Sequence, residues 1–408
     1  MPTFNEKRQA ATNVSREKEV ALFFAIAIAI WTVLNLYVFW RIASVPFVAR
    51  HIPRGWLIFS LVFLWASFLL SIVLEHVLGR GAIAAPFGLI GTNWLGILFL
   101  LFCCLLAVDI VTGFGFLLPR LAPSLRGFAL LAGILLCLVA FIQGFRPPVV
   151  SNYEVRLPGL PAEDDGLVLV ELSDLHLGSL LGERWLQARI AQVESLRPDL
   201  VVIAGDIFEG HGQLGVERRM APLLHQLTVP LGVWAVTGNH EFYGGIEGSS
   251  RLLESAGIHI LHNEWKEPRP GLVLAGVEDT GSHHFSSTET SNIQRALAGR
   301  PVGAATVFIS HRPQGTEEAA RAGAGLMLAG HTHGGQIWPF NYVVRHFIPL
   351  LGGRYEVSGM TIIVCRGTGL WGPRMRLWRP GEIIRITLRS PLSIPPGDSG
   401  ENEQKTEE

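Results

Sequence analysis

Four apolar runs crowd the first third of this chain, at residues 20–40, 56–74, 94–118 and about 127–144. Each is near the ~20 residues that a helix needs to cross the hydrocarbon core of a bilayer. Buried helices of a soluble core are the competing reading, but four such runs in succession leave no amphipathic partner to cover them. Trp31, Trp40, Trp56 and Trp94 stand at several run ends, and Arg41, Arg54, Arg80, Arg120, Arg126 and Arg146 bracket the runs. Both residue types favour the membrane interface. The runs predict an all-α, four-helix transmembrane module over residues 20–146, behind a polar leader of residues 1–19. The leader is long and no small-x-small site follows, so the first run reads as a retained helix rather than a signal peptide. Lys7, Arg8, Arg16 and Lys18 favour a cytoplasmic N-terminus. Four spans then return the remainder of the chain to the cytoplasmic face of the cell membrane.

The 408 residues are only 16% charged, against roughly 25% in soluble domains. The deficit lies within the apolar third. A formal net charge of −1 gives no field that would attract nucleic acid. Cys103, Cys104 and Cys137 lie inside apolar runs, Cys365 stands alone, and no CxxC occurs, so neither a disulfide framework nor a zinc ribbon is expected. Asp109 sits inside the third run. An intramembrane carboxylate is costly and is a functional candidate by default. The simpler reading is that it faces the bundle and pairs with a group such as Thr112, or lies near an interface.

Beyond Pro147-Pro148, residues 147–166 read as a linker with an edge strand at 153–157. Strand-like runs at 167–172, 200–204 and 232–236 alternate with helical patterns at 183–196 and 216–227. Further strands are expected at 258–261, 272–277, 306–310, 326–329, 360–365 and 382–388. This order predicts an α/β layered fold with mixed sheets over residues 167–390. A polar tail, 391–408, is expected to be disordered.

Polar clusters follow the strands. Asp174 and His176 follow the first, Gly205-Asp206 the second and Gly238-Asn239-His240-Glu241 the third. His311 follows 306–310, and Gly330-His331-Thr332-His333 follows 326–329. In open α/β sheets, ligands bind outside the carboxyl ends of strands. Carboxylate and imidazole without thiolate suit Mn, Fe or Zn. One carboxylate can bridge two ions about 3.5–4 Å apart, and a water held between them becomes a nucleophile near neutral pH. A lone Asp-x-His means little. Five such clusters in order, each after an apolar strand, point to phosphoester hydrolysis at a two-metal site.

These residues resemble the calcineurin-like metallophosphoesterase superfamily over roughly residues 167–388. The resemblance implies two mixed sheets packed face to face and flanked by helices, a four-layer α-β-β-α sandwich. It implies that Asp174, His176 and His333 hold one divalent ion, that Asp206 bridges, and that Asn239, His311 and His331 hold the second. It gives His240 the role of general acid or transition-state stabiliser at the leaving group, which suits a side chain whose pKa lies near working pH. Glu241 reads as support for the loop. Gly334-Gly335-Gln336, Arg366-Gly367-Thr368-Gly369 and the Trp-containing basic stretch 370–379 resemble a bacterial membrane-associated branch. Its relatives cleave phosphodiester or pyrophosphate bonds, some in lipid-linked nucleotides such as UDP-2,3-diacylglucosamine.

Arg366, Arg374 and Arg376, with Trp371 and Trp378, form a basic-aromatic patch. It reads either as contact with a substrate phosphate or anionic lipid, or as a solvated loop with packed tryptophans. His283-His284 lies in a loop that reads as plain surface, with the rim of the cleft as the alternative. His211, His225, His259 and His262 have no motif around them. The leading expectation is a membrane-anchored phosphohydrolase whose partners are the lipid bilayer and a phosphorylated small-molecule or lipid-linked substrate. A phosphomonoesterase or phosphoprotein phosphatase, and a non-catalytic membrane scaffold, are the alternatives; a transporter is a remote fourth.

Overall fold

The computed structural model describes residues 25–78, 84–178, 180–210, 214–281 and 285–391. The polar leader, residues 392–408 of the tail, Arg80, His211, His283 and His284 lie outside them. The chain divides into two compact units: Met1–Phe145 with Gly372–Met375, and Arg146–Trp371 with Arg376–Glu408.

The first unit contains α1 (Ala25–Ala43), the short α2 (Pro46–His51), α3 (Arg54–Leu78), α4 (Ala84–Val111) and α5 (Ala122–Gly144). All but α2 are long and apolar enough to cross a membrane. Their outward faces stay apolar, as with Phe59, Val62, Leu131 and Leu138, while Trp31, Phe39, Trp94, Leu98 and Leu101 pack inside. Such a surface suits lipid rather than water. α4 starts at Ala84 rather than at Trp94, where the apolar run begins. Thr92 and Asn93, which interrupt the run, bond back to the carbonyls of Gly88 and Leu89 at 2.8 and 2.7 Å and hide their polarity. It ends at Val111 rather than at 118 because Gly113, Phe114 and Gly115 take φ of 55°, 56° and 94°, which no helix continues.

Asp109 faces the bundle, but its partner is not Thr112, whose hydroxyl donates to the Val108 carbonyl. Arg41 Nε approaches the buried carboxylate to 2.5 Å as an ion pair, Arg126 donates at 2.9 Å, and the Tyr37 hydroxyl donates at 2.7 Å. Two arginines that end runs in sequence thus neutralise a carboxylate in the middle of another. That arrangement satisfies the buried charge and asks for no transport role.

The second unit holds two six-stranded sheets. One has the order β1-β12-β2-β3-β4-β5 and the other β10-β11-β9-β8-β7-β6. The first comprises β1 (Val149–Arg156), β2 (Val168–Leu172), β3 (Leu200–Ala204), β4 (Val233–Val236), β5 (Ile258–Ile260) and β12 (Glu382–Arg389). The second comprises β6 (Glu264–Arg269), β7 (Leu272–Gly276), β8 (Ala305–Ile309), β9 (Leu326–Ala329), β10 (Gly353–Val357) and β11 (Met360–Val364). Side chains alternate across a strand, and the alternation builds the layers. Leu200, Val202 and Ala204 of β3 meet Leu274, Val307 and Leu328 in the core between the sheets. Val201 and Ile203 point the other way, into a cluster with Leu186 and Ile190 of α6 (Glu183–Ser195), Met220 of α7 (Leu214–Leu224) and Leu253 of α9 (Ile246–Ser255), which follows the short α8 (Asn239–Gly244). On the far side, Phe308 and Met327 pack against Ile293 of α10 (Ser287–Leu297) and Ala319 of α11 (Thr316–Arg321). The result is the expected α-β-β-α sandwich.

The edge strand begins at Val149, earlier than the sequence suggests, and pairs in parallel with β12 along its whole length. β6 and β10 are absent from the sequence reading. They are the hairpin edges of the second sheet, and β6 (EWKEPR) carries charges, a proline and a register shift between Lys266 and Arg269. Edge strands use these devices to avoid further pairing, and so lose the apolar pattern that would reveal them.

Candidate metal centre

β2, β3 and β4 run parallel, as do β7, β8 and β9 in the facing sheet. The loops at their carboxyl ends gather all seven residues expected to bind metal, together with His240. The backbone there is strained: Asp174, His176, Asp206, His331 and His333 have φ of 51°, 45°, 51°, 71° and 49°. Asp and His tolerate the left-handed region better than most residues, yet each such position costs of order 1–3 kcal/mol. Five of them in one cluster mark a site held by its surroundings.

The donor atoms face one another closely. His176 Nε2 lies 3.2 Å from His333 Nε2, and Asp174 Oδ1 lies 3.6 Å from that same His333 nitrogen. His311 Nε2 is 3.1 Å from Asn239 Oδ1 and 3.1 Å from His331 Nδ1. Asp206 Oδ2 joins the two groups, 3.8 Å from His176 Nε2 and 3.2 Å from His311 Nε2. Three sets of ligand atoms within 4.8 Å of one another result: Asp174, His176, His333; His176, Asp206, His240; and Asp206, His311, His331. Edges of a coordination polyhedron with bonds of about 2.1 Å measure roughly 3.0–3.4 Å, so these separations suit divalent cations.

Neighbouring groups aim the donors. His311 Nδ1 donates to the Ala204 carbonyl at 2.8 Å, which turns Nε2 toward the site. His240 Nδ1 donates to the Glu209 carbonyl at 2.8 Å, with the same consequence. Asp174 accepts from the Ser173 hydroxyl at 2.5 Å and the His331 amide at 3.0 Å, and Asp206 Oδ1 accepts from the His240 amide at 2.9 Å. Such outer contacts orient metal ligands. Gly238 makes the crossing of two loops possible. A Cβ there would collide with the Asp206 carboxylate and meet its amide nitrogen at 2.5 Å.

Glu241 is fully buried. Its carboxylate accepts from the amides of Asp206, Phe208 and Gly238 at 3.0, 2.9 and 2.8 Å. It ties the loop after β3 to the loop after β4. Burial, then the Asp206 charge, push its pKa up to about 7 against the pull of those amides. Glu209 is the residue the sequence reading missed. Its carboxylate lies 3.4 Å from His176 Nδ1 and its carbonyl holds His240. Its place three residues after Asp206 was the one available signal.

Charge is unevenly divided. Burial works against a proton on His176 and His311, but Glu209 and Asp206 outweigh it at His176, and Asp206 and Asp174 at His311. The two pKa values are pushed up to about 9 and about 10. Burial, reinforced by the charge on those two rings, holds His331 and His333 well below the ordinary value. Burial would raise the Asp206 carboxyl, yet His311, His176 and His240 hold it well below the usual range. A buried cluster that draws protons onto two rings in this way is one that a divalent cation can neutralise instead.

The basic patch does not act as one surface. Arg376 is 2% exposed, and its guanidinium donates to the carbonyls of Arg366, Gly367, Gly369 and Arg379. It holds the loop together and is closed to a substrate, contrary to expectation. Arg374 belongs to the helical unit, where its amide donates to the Asn93 side chain at 2.9 Å. Arg366 remains partly open and pairs with Glu382. Trp371 stands edge-on to His240, with ring centroids 6.4 Å apart. Away from the site, His225 bonds the Ala256 carbonyl, His259 stacks on Trp234 and His262 pairs with Glu278.

Residues 167–335 match the family model for calcineurin-like phosphoesterases. A transmembrane protein with a metallophosphoesterase domain from Danio rerio is 34% identical over 64% of this chain and 62% of its own length. An uncharacterized metallophosphoesterase from Aquifex aeolicus is 30% identical over 59% of this chain and 91% of its own length. One from Helicobacter pylori is 32% identical over 66% and 73%. The chain spans under two thirds of the Danio rerio relative and nearly all of the Aquifex aeolicus one.

Proposed function

The chain belongs to the calcineurin-like metallophosphoesterase family, and on that premise we propose that it is a membrane-anchored phosphohydrolase using two divalent ions. Asp174, His176 and His333 would hold one ion, Asn239, His311 and His331 would hold the other, and Asp206 would serve both. The observation that carries this reading is the position of Asp206 Oδ2 between the His176 and His311 nitrogens. When bound, the ions supply positive charge to the phosphoryl oxygens and make a water acidic enough to be a nucleophile near neutral pH.

The protein's own groups do the rest. Glu241 fixes the spacing of the Asp206 and Asn239 loops. His240 has its Nδ1 proton committed to the Glu209 carbonyl, so Nε2 is the atom that gives a proton to the leaving oxygen. Burial and the His176 charge hold its pKa below the ordinary value; a phosphoester anion beside it opposes both effects. Trp371 and Tyr243 flank the ring and offer apolar surface to a leaving group. Four membrane-length helices keep the enzyme beside amphiphilic molecules. A phosphodiester or pyrophosphate in a lipid or lipid-linked nucleotide is the substrate class this favours. The basic residues Lys7, Arg8, Arg16 and Lys18 ahead of the first helix argue for a cytoplasmic catalytic unit.

The test is hydrolysis by the full chain in detergent with Mn²⁺, comparing bis-p-nitrophenyl phosphate with p-nitrophenyl phosphate. Preference for the diester agrees with the proposal. Preference for the monoester replaces it with a phosphatase.

A further inference from the structure

A polar cavity of about 270 Å³ lies in the second unit among β1, β10 and α12 (Phe340–Phe347). It exceeds the volume of one water, about 30 Å³, several times over. Ser151 and Tyr153 of β1, Asn341 and Arg345 of α12, and Arg366 and Arg379 line it, with Glu382 as the sole carboxylate among the lining residues. Glu382 is already committed. It takes two bonds from Arg366, at 3.1 and 2.6 Å, and one from the Ser151 hydroxyl. Arg345 and Arg379 have no ion pair or side-chain hydrogen bond among the described residues. Three guanidiniums therefore surround a space containing one neutralised carboxylate, and the lining keeps a positive surplus.

We propose that this cavity is a second anion site, distinct from the metal centre, that takes a phosphate-class dianion through Arg345, Arg366 and Arg379. The guanidinium fork matches phosphoryl oxygens bidentately, and the Glu382 clamp fixes the fork of Arg366 in advance. Asn341 supplies an independent sign of a ligand. It is 3% exposed, and its Oδ1 has no hydrogen-bond partner. Buried side-chain amides without partners are uncommon. Because the amide can present either end, it can donate to a phosphoryl oxygen or accept from a hydroxyl on the ligand. The Tyr153 hydroxyl adds a further donor. The volume accommodates a phosphoryl group with a small substituent, so the ligand is a phosphate ester or the phosphomonoester headgroup of a lipid.

The cavity also touches the metal centre's support. Gly334 lines it and follows His333, and the Arg366 side chain lies over that glycine, with Cγ 3.0 Å from where a Cβ would stand. An occupant that pulls on Arg366 bears on the turn carrying His333. The site itself does not depend on the hydrolytic reading.

The experiment uses the full chain in detergent with its metals. Sulfate is titrated by calorimetry into the wild type, Arg345→Ala/Arg379→Ala, the corresponding double Lys variant and Asp206→Asn. Saturable binding is expected in the wild type and in Asp206→Asn, at least about tenfold weaker in the double Ala variant, and partly restored by Lys. Competition then separates the sources. Displacement by phosphatidic acid but not by phosphatidylcholine in mixed micelles assigns a lipid headgroup. Displacement by inorganic phosphate and glycerol phosphate alone assigns a soluble ester. Absence of saturable binding in the wild type overturns the proposal, as does binding that survives in the double Ala variant and disappears in Asp206→Asn.

Discussion

Glu241→Ala tests how the two central loops are held. The wild-type carboxylate accepts from the amides of Asp206, Phe208 and Gly238 at 3.0, 2.9 and 2.8 Å. Removing it leaves three buried N–H groups without an acceptor. At about 1–3 kcal/mol each, the ordered loop pair loses roughly 3–9 kcal/mol, with the lower end applying where water fills the vacated space. Even ~3 kcal/mol is about a hundredfold shift toward loosened loops. Metal affinity that requires ordered loops falls by up to that factor. Glu241→Gln retains one oxygen acceptor but turns an N–H toward a donor, so it should fall between. The assay is metal content per chain across a graded chelator series, by mass spectrometry on the full chain in detergent. The expected order of retention is wild type, Gln, Ala. Metal held by Glu241→Ala as tightly as by the wild type would refute the reasoning, since the loops would then owe nothing to this carboxylate.

Three further outcomes are expected. His240→Ala should keep its metal content yet slow hydrolysis of alkyl esters by about 10²–10⁴-fold, with much less effect on p-nitrophenyl esters; equal slowing of both would remove the proton-donor role. Asp109→Ala should strand Arg41 and Arg126 and lower stability by about 3–5 kcal/mol, read as a lower Tm in detergent, whereas loss of activity with Tm intact would give the carboxylate a functional part. Glu171 is fully buried with neither oxygen bonded, and burial, then Glu382 and Asp174, raise its pKa well above the ordinary value. A raised carboxyl binds its proton more tightly in the folded state, so stability is greatest below its unfolded pKa of about 4.3 and falls as pH rises toward the folded value. Glu171→Gln should flatten that fall in a thermal-denaturation series from about pH 4.5 to 8; an unchanged slope would mean that Glu171 is not its source.

The sandwich was legible because β3 and β9 are buried on both faces and read as unbroken apolar runs, with β2 and β8 interrupted only by Glu171 and Thr306. Each ends in the polar cluster that forms the centre. β6 and β10 were not legible, since an edge strand is charged where an inner strand is apolar. The residues that gather at the candidate centre were readable from order and type. Their supports were only partly readable: Glu241 is expected to support its loop, but the amides it also holds belong to a loop 33–35 residues away, and Glu209 has no signal beyond its place three residues after Asp206. Arg376 misled because an arginine in a basic-aromatic stretch looks solvent-facing. Five backbone carbonyls within its reach made it a buried brace instead. Arg41 and Arg126 read as interface markers, and only the bundle's folding brought them to Asp109.

The central claim is that Asp206 is shared between two ions. The most direct measurement is the number of metal ions per chain in purified wild type and Asp206→Asn, taken beside diester hydrolysis on the same samples. The account predicts about two ions per wild-type chain, and loss of at least one ion together with the activity in Asp206→Asn. A single ion in an active wild type, or two ions and full activity in Asp206→Asn, would contradict it.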